Sequence, residues 1–105
     1  MPEPEEYKVT VSKRATQQLV EAASFQARLD EKLAHKLVAE FRIAVDSLRI
    51  LPFRNPTVRS EVFTVEKYRK MVFGKWYLLI YQIKGDTVYI EYLIDGRSDY
   101  QWLFA

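Results

Sequence analysis

Cysteine is absent from this 105-residue chain, and disulfides, thiolate metal sites and cysteine nucleophiles go with it. That usage fits a reducing cytoplasm, the expected location. Histidine occurs once, as His35 between Ala34 and Lys36, off the apolar stripe that surrounds it. A ligating histidine needs companions, so a surface or boundary position is expected, and neither a metal nor another cofactor. Glycine occurs three times, with no glycine-rich phosphate loop, and no serine–histidine pair suggests a nucleophilic enzyme. Long apolar runs are missing as well. The longest, Trp76-Tyr77-Leu78-Leu79-Ile80-Tyr81, has the length of a strand, against the ~20 residues of a membrane helix, so no membrane partner is expected. The N-terminus carries Glu3, Glu5 and Glu6, the opposite of a secretory n-region.

What the chain does have is apolar material: 49% hydrophobic and 14% aromatic residues, enough for the core of one compact domain. Residues 1–6, with two prolines and three glutamates, read as a disordered acidic leader, and residues 7–105 as the domain. The net charge of +2 hides an asymmetry. From Arg49 to Lys75 the basic residues are Arg49, Arg54, Arg59, Lys67, Arg69, Lys70 and Lys75, against the acids Glu61 and Glu66. Two readings stand for this stretch: a counter-surface for a polyanion or an acidic protein, or an ordinary solvated face.

Hydropathy period orders the elements. Tyr7 to Val11 alternates apolar and polar, as a half-buried strand does. Ser12 is a helix cap, and Ala15, Leu19, Ala22 and Ala23 give the first helix a small-residue face. Asp30 caps a second helix whose stripe runs Leu29, Leu33, Leu37, Phe41, Ala44, Leu48 and Leu51, about 20 residues ended by Pro52. Val38 and Val45 widen its buried side. A short connector makes the two helices a hairpin. Phe53 to Ser60 reads as a loop. Three strands follow, Lys67–Phe73, Trp76–Lys84 and Thr87–Ile94, separated by the turns Gly74-Lys75 and Gly85-Asp86. In the last, Val88, Ile90, Tyr92 and Ile94 are expected on one face, and Tyr89, Glu91, Leu93 and Asp95 on the other, with Tyr89 and Glu91 offered to a partner. Arg97 to Ala105 holds Tyr100, Trp102, Leu103 and Phe104, too apolar for a solvated tail, so it should dock on the body as a short tail or helix. The fold class is α+β: an N-terminal strand, a helical hairpin, then a three-stranded antiparallel meander, in one curled sheet with both helices on one face.

This order, and the run Tyr68-Arg69-Lys70-Met71-Val72-Phe73-Gly74-Lys75, Tyr77-Leu78-Leu79-Ile80-Tyr81, Val88-Tyr89-Ile90-Glu91-Tyr92-Leu93-Ile94 and Asp95-Gly96-Arg97-Ser98-Asp99, resembles the RelE/ParE superfamily of type II toxin–antitoxin toxins. The resemblance covers Tyr7 to Phe104. It implies a growth-inhibiting toxin neutralised by a cognate acidic antitoxin, acting on the ribosome to cut messenger RNA or on DNA gyrase. The alternative is a catalytically inactive binding module on the same fold.

RNA cleavage would need groups that activate a 2′-hydroxyl, neutralise the phosphorane and protonate the leaving oxygen. The resemblance implies Arg69, Arg97 and Tyr100 for these catalytic roles. It implies Arg54, Arg59, Lys67, Arg69, Lys70, Lys75 and Arg97 for binding the antitoxin or nucleic acid. Met71 and Leu78 stand where ribonuclease members resemble one another in carrying basic residues, and Asp95 stands near a histidine position, so the catalytic set is depleted. Structural readings stand beside the functional ones. Arg69 is placed to pair with Glu91, and Arg97 with Asp95 or Asp99. For Tyr77 and Tyr81, core packing beneath the helices competes with stacking on an unpaired base.

Overall fold

The computed structural model describes residues 5–58 and 67–97. The leader residues Met1 to Pro4, Arg59 in the loop, and the tail from Ser98, with Tyr100, lie outside the described residues. The elements are β1 (Lys8–Val11), α1 (Lys13–Leu29), α2 (Glu31–Leu48), a single 3-10 turn (Pro52–Arg54), β2 (Arg69–Phe73), β3 (Tyr77–Lys84) and β4 (Thr87–Asp95).

Local chemistry explains the helical hairpin. Ser12 Oγ accepts from Ala15 N–H at 2.9 Å and starts α1. Asp30 then serves both helices. Its N–H donates to the Gln26 carbonyl (2.9 Å), closing α1, and its carboxylate accepts from Lys32 N–H (2.9 Å), opening α2. One extended residue thus satisfies orphan backbone groups on two helix ends. The second helix stops at Leu48, short of the expected end at Pro52. Pro52 disfavours helical backbone at the residue before it, and Leu51 accordingly sits at φ −130°, ψ 59°.

The four strands form one sheet in the order β1-β4-β3-β2. β1 lies parallel to β4, while β2, β3 and β4 form the antiparallel meander. Both helices pack on one face. Leu37, Phe41, Ala44 and Leu48 of α2, with Ala15 of α1, meet Phe73, Tyr77, Leu79, Tyr81, Val88, Ile90 and Leu93 in the main core. The stripe of α2 is buried only in its middle. Leu29, Leu33 and Leu51 are exposed; Leu29 belongs to the end of α1 and Leu51 lies beyond the end of α2 at Leu48.

The opposite face is not bare. Leu78, Ile80 and Ile94 are buried there, with Val58, Tyr68 and Tyr92 packed against them. Burial on both faces explains why β3 lacks apolar–polar alternation. The expected alternation of β4 is corrected at Glu91. Tyr81 pairs with Ile90 but Ile80 pairs with Tyr92, so Glu91 is an extra residue in the ladder. A bulge of this kind resets the side-chain phase. Val88 and Ile90 therefore share the helix side with Leu93, and Tyr92 and Ile94 turn to the other side.

Candidate functional site

Of the basic residues singled out by sequence, those among the described residues lie along β2 and at its two ends, not in one cluster. β2 is an edge strand of the sheet. At its start lie exposed Arg54 and Lys67 and half-buried Arg69; along it lies half-buried Lys70; at its far end the exposed residues Lys75 and Arg97 stand by the β2–β3 turn.

Arg69 builds structure at the first end. Its Nη1 donates to the carbonyls of Asn55 (2.6 Å) and Phe53 (3.3 Å), and its guanidinium lies 5.1 Å over the Phe53 ring. Tyr81, fully buried, donates its hydroxyl to the Pro52 carbonyl (2.6 Å) and accepts from Asn55 Nδ2 (3.1 Å). Together the two side chains hold the 52–55 turn on the sheet. Burial pushes the Tyr81 phenol above its usual range, although Asn55 and the arginines nearby oppose the shift. The expected pairing of Arg69 with Glu91 is corrected. Glu91 instead accepts from the Gln82 amide, and burial followed by the adjacent Glu91 raises the Tyr68 phenol. Tyr68, Gln82 and Glu91 are a polar cluster that sequence reading missed; the bulge at Glu91 creates it, and a bulge has no signature in the hydropathy pattern.

Arg97 is fixed at the other end. Its Nε and Nη2 donate to Asp95 Oδ1 (3.0 Å) and Oδ2 (2.6 Å), a forked pair that holds the Asp95 carboxyl below its ordinary value. The guanidinium also lies 4.0 Å over the Trp76 ring. Gly96 is required between them. Its N–H donates to the Trp76 carbonyl (2.6 Å), and a Cβ there would fall 2.5 Å from that oxygen. The forked pair is the structural role expected for Arg97 with Asp95.

The two arginines therefore do not converge. Arg69 pairs with Tyr81 and through it with Ile90, whereas Arg97 lies two residues beyond Asp95, which pairs through Tyr77 with Phe73. Four ladder positions separate Arg69 from the Phe73–Tyr77–Asp95 row, roughly 13 Å at ~3.3 Å per residue, and Arg97 lies in the turn beyond Asp95. Arg69 and Arg97, which the resemblance implies for one catalytic set, are thus not brought together. Met71 packs on the main core beneath α2, with Ser47 Oγ 3.7 Å from its sulfur, and Leu78 is buried in the smaller cluster behind the sheet. Tyr77 and Tyr81 are core residues, as the packing reading holds. Trp76, expected to begin the strand, belongs to the turn before β3 and packs on the helix side. Tyr89 is exposed, with Lys84 over its ring. His35 is exposed, and among the described residues no three His, Asp or Glu side chains gather in a metal-binding group. No described helix is long and apolar enough to cross a membrane.

Comparison with known proteins adds a lineage to this geometry. Residues 9–100 match the family described as the ParE toxin of the type II toxin–antitoxin system, parDE. Among solved structures, the chromosomal ParDE TA system from P. aeruginosa is similar at a TM-score of 0.71 and 17% identity. The match covers 88% of this chain and 98% of that one, and at that identity it speaks for the fold. No curated protein sequence matches significantly.

Proposed function

The chain belongs to the ParE toxin family of type II toxin–antitoxin systems, and from that premise we propose that it acts as a toxin on DNA gyrase rather than by cutting messenger RNA. The observation that carries the choice of target is the separation of Arg69 from Arg97. Phosphoryl transfer on RNA needs cationic and proton-transferring groups around a single phosphate, within hydrogen-bond reach of it. Arg69 and Arg97 stand at opposite ends of the sheet, one held by backbone carbonyls and the other by Asp95. Met71 and Leu78 are apolar and packed away. Glu91, at the bulge behind the sheet, adds negative charge where a bound phosphate would need positive.

The antitoxin surface proposed is the β2 edge. An extended strand can lengthen a sheet at its edge, and Arg54, Lys67, Lys70 and Lys75 offer positive charge along its length to an acidic segment; Arg59 and Arg97 are proposed as further contacts of that segment. Charges of this kind speed encounter and fix register more than they set final affinity. Binding should then weaken with salt, since exposed charges are screened.

Inducible expression of the chain alone tests the target. Gyrase-dependent DNA breaks and an SOS response with intact messages are expected. Cleavage of translated messages, abolished by Arg97→Ala or by Tyr100→Phe, would reverse the choice and restore Arg69, Arg97 and Tyr100 as a catalytic set. Normal growth and undamaged DNA would favour a non-toxic binding module.

A further inference from the structure

The turn that follows α2, Arg49-Ile50-Leu51-Pro52-Phe53-Arg54-Asn55, is tightly fastened yet directs its apolar side chains outward. The Arg49 carbonyl accepts from Tyr7 N–H (2.7 Å), and the Leu51 carbonyl from Arg54 N–H (3.2 Å). The Pro52 carbonyl accepts from the buried Tyr81 hydroxyl, and the carbonyls of Phe53 and Asn55 accept from Arg69. Pro52 restricts the backbone further. Ile50, Leu51 and Phe53 are nonetheless 64%, 54% and 49% exposed. Large apolar side chains exposed so close together mark an interaction site, unlike scattered single residues. Fixing them in one shape before contact lowers the ordering cost of binding. The charge here is positive. Arg54 and Arg69 both act on the Tyr81 phenol, and neither is paired with an acid among the described residues. Arg49 is offset by Asp46 at 3.7 Å.

We propose that Ile50, Leu51 and Phe53, with Arg54, form the surface by which the chain grips its protein target, entering an apolar cleft with an acidic rim. The inference rests on the gyrase reading given above, and gyrase is the occupant it names. A fixed apolar cluster gains affinity where a partner excludes water from it, and aromatic and arginine side chains dominate such contacts. Phe53 and Arg54 supply both kinds side by side. A second copy of the chain fits less well. Its own apolar groove, between the helices and Trp76, is rimmed by Lys36, Lys75 and Arg97 against Glu40, which sets positive charge against positive. A fluid lipid surface requires no fixed shape, so the fastening of the turn favours a protein cleft. The antitoxin surface proposed along β2 borders this turn. Lys70 N–H donates to the Pro56 carbonyl, and Thr57 bridges to Arg69. An antitoxin that reaches Arg54 from β2 therefore covers part of the patch, and neutralisation follows from occlusion of the target-binding turn.

Ile50→Ser combined with Leu51→Ser tests the patch, because neither side chain belongs to the core and thermal unfolding should change little. Wild-type protein should be retained by purified gyrase holoenzyme and inhibit its supercoiling of DNA. The double variant should lose affinity by on the order of tenfold or more. Arg54→Glu should weaken binding and its salt dependence, while Arg54→Lys stays close to wild type. Equal inhibition by wild type and the double variant would overturn the patch and leave the target reading standing. Failure of the wild type to bind gyrase at all would overturn both. Wild-type binding to phosphatidylglycerol vesicles instead, lost in the double variant, would reassign the patch to a lipid surface. Self-association seen by analytical ultracentrifugation and lost in that variant would reassign it to a second copy. Tyr81→Phe loosens the turn without reaching the partner, and should weaken gyrase binding severalfold at a temperature where the variant is fully folded. Unchanged affinity there would refute the role of the fastened turn.

Discussion

Replacing Tyr81 by phenylalanine removes one oxygen from a place where water cannot substitute for it. The ring is fully buried between the helices and the sheet, and phenylalanine fills the same space, so the perturbation is confined to two hydrogen bonds. The Pro52 carbonyl loses its donor and Asn55 Nδ2 loses its acceptor. A net hydrogen bond contributes about 1 kcal/mol, and a buried carbonyl left unsatisfied costs about 1–3 kcal/mol. The expected destabilisation is therefore about 2 kcal/mol. For a domain of this size that lowers Tm by about 8–16 °C. Urea denaturation should show a lower midpoint with an unchanged slope. Arg69→Ala loosens the same turn, so the double variant should lose less than the sum of the single losses. Burial also raises the Tyr81 pKa, so the neutral phenol is the form the fold favours. Its contribution is complete below the unfolded value near 10 and is lost as pH rises through the higher folded value. Wild-type stability should fall above about pH 10, and Tyr81→Phe should flatten that limb. A loss under about 0.5 kcal/mol, with full additivity, would refute the reasoning that this hydroxyl fastens the 52–55 turn.

Further expectations concern single contacts. Ser12→Ala removes the acceptor for Ala15 N–H and the donor to the Glu91 carbonyl, and should cost about 1–2 kcal/mol, read by chemical denaturation. Gly96→Ala drives a Cβ against the Trp76 carbonyl; Trp76 fluorescence should shift and stability should drop by about 1–3 kcal/mol. The Asp95 carboxyl is held low chiefly by its hydrogen bonds to Arg97, so its contribution is present above the unfolded value of 3.8 and lost as pH falls through the lower folded value. An NMR titration should place its midpoint below 3.8, and Arg97→Ala should return it towards that value. Leu79→Ala, at a fully buried position of the central core, should cost about 2–5 kcal/mol by the same denaturation assay.

Much of the fold was legible because periodic burial writes it into the residues. The caps Ser12 and Asp30 act as their side chains suggest, and the turn glycines separate strands near the expected positions. What was not legible arises from relations between elements. Leu29, Leu33 and Leu51 continue the apolar period on either side of the buried part of α2, but a stripe records only what a helix could bury, and these three are exposed. Glu91 looks like any outward residue of β4, and only the pairing with Ile80 and Tyr81 reveals it as a bulge. The site was less legible still. Arg69 and Arg97 both follow the resemblance, yet their separation is set by strand register, which no single strand contains.

The same register underlies the proposed choice of target. The meander brings the two ends of β2 to opposite ends of the sheet, so basic residues kept at both ends present a line of charge rather than a pocket. A line suits an extended acidic partner, whose contacts are many and individually weak. A phosphate, by contrast, needs several groups within one hydrogen-bond radius. Met71 and Leu78 occupy the interior of that line with apolar side chains that contribute to two cores, so placing basic residues there would unpair buried surface on both faces. On the proposed reading, a basic cluster at Met71 and Leu78 would require charge at positions where the fold now draws its stability. Met71→Lys and Leu78→Arg should each destabilise the protein before they confer any cleavage, with melting temperature falling in both and message profiles unchanged.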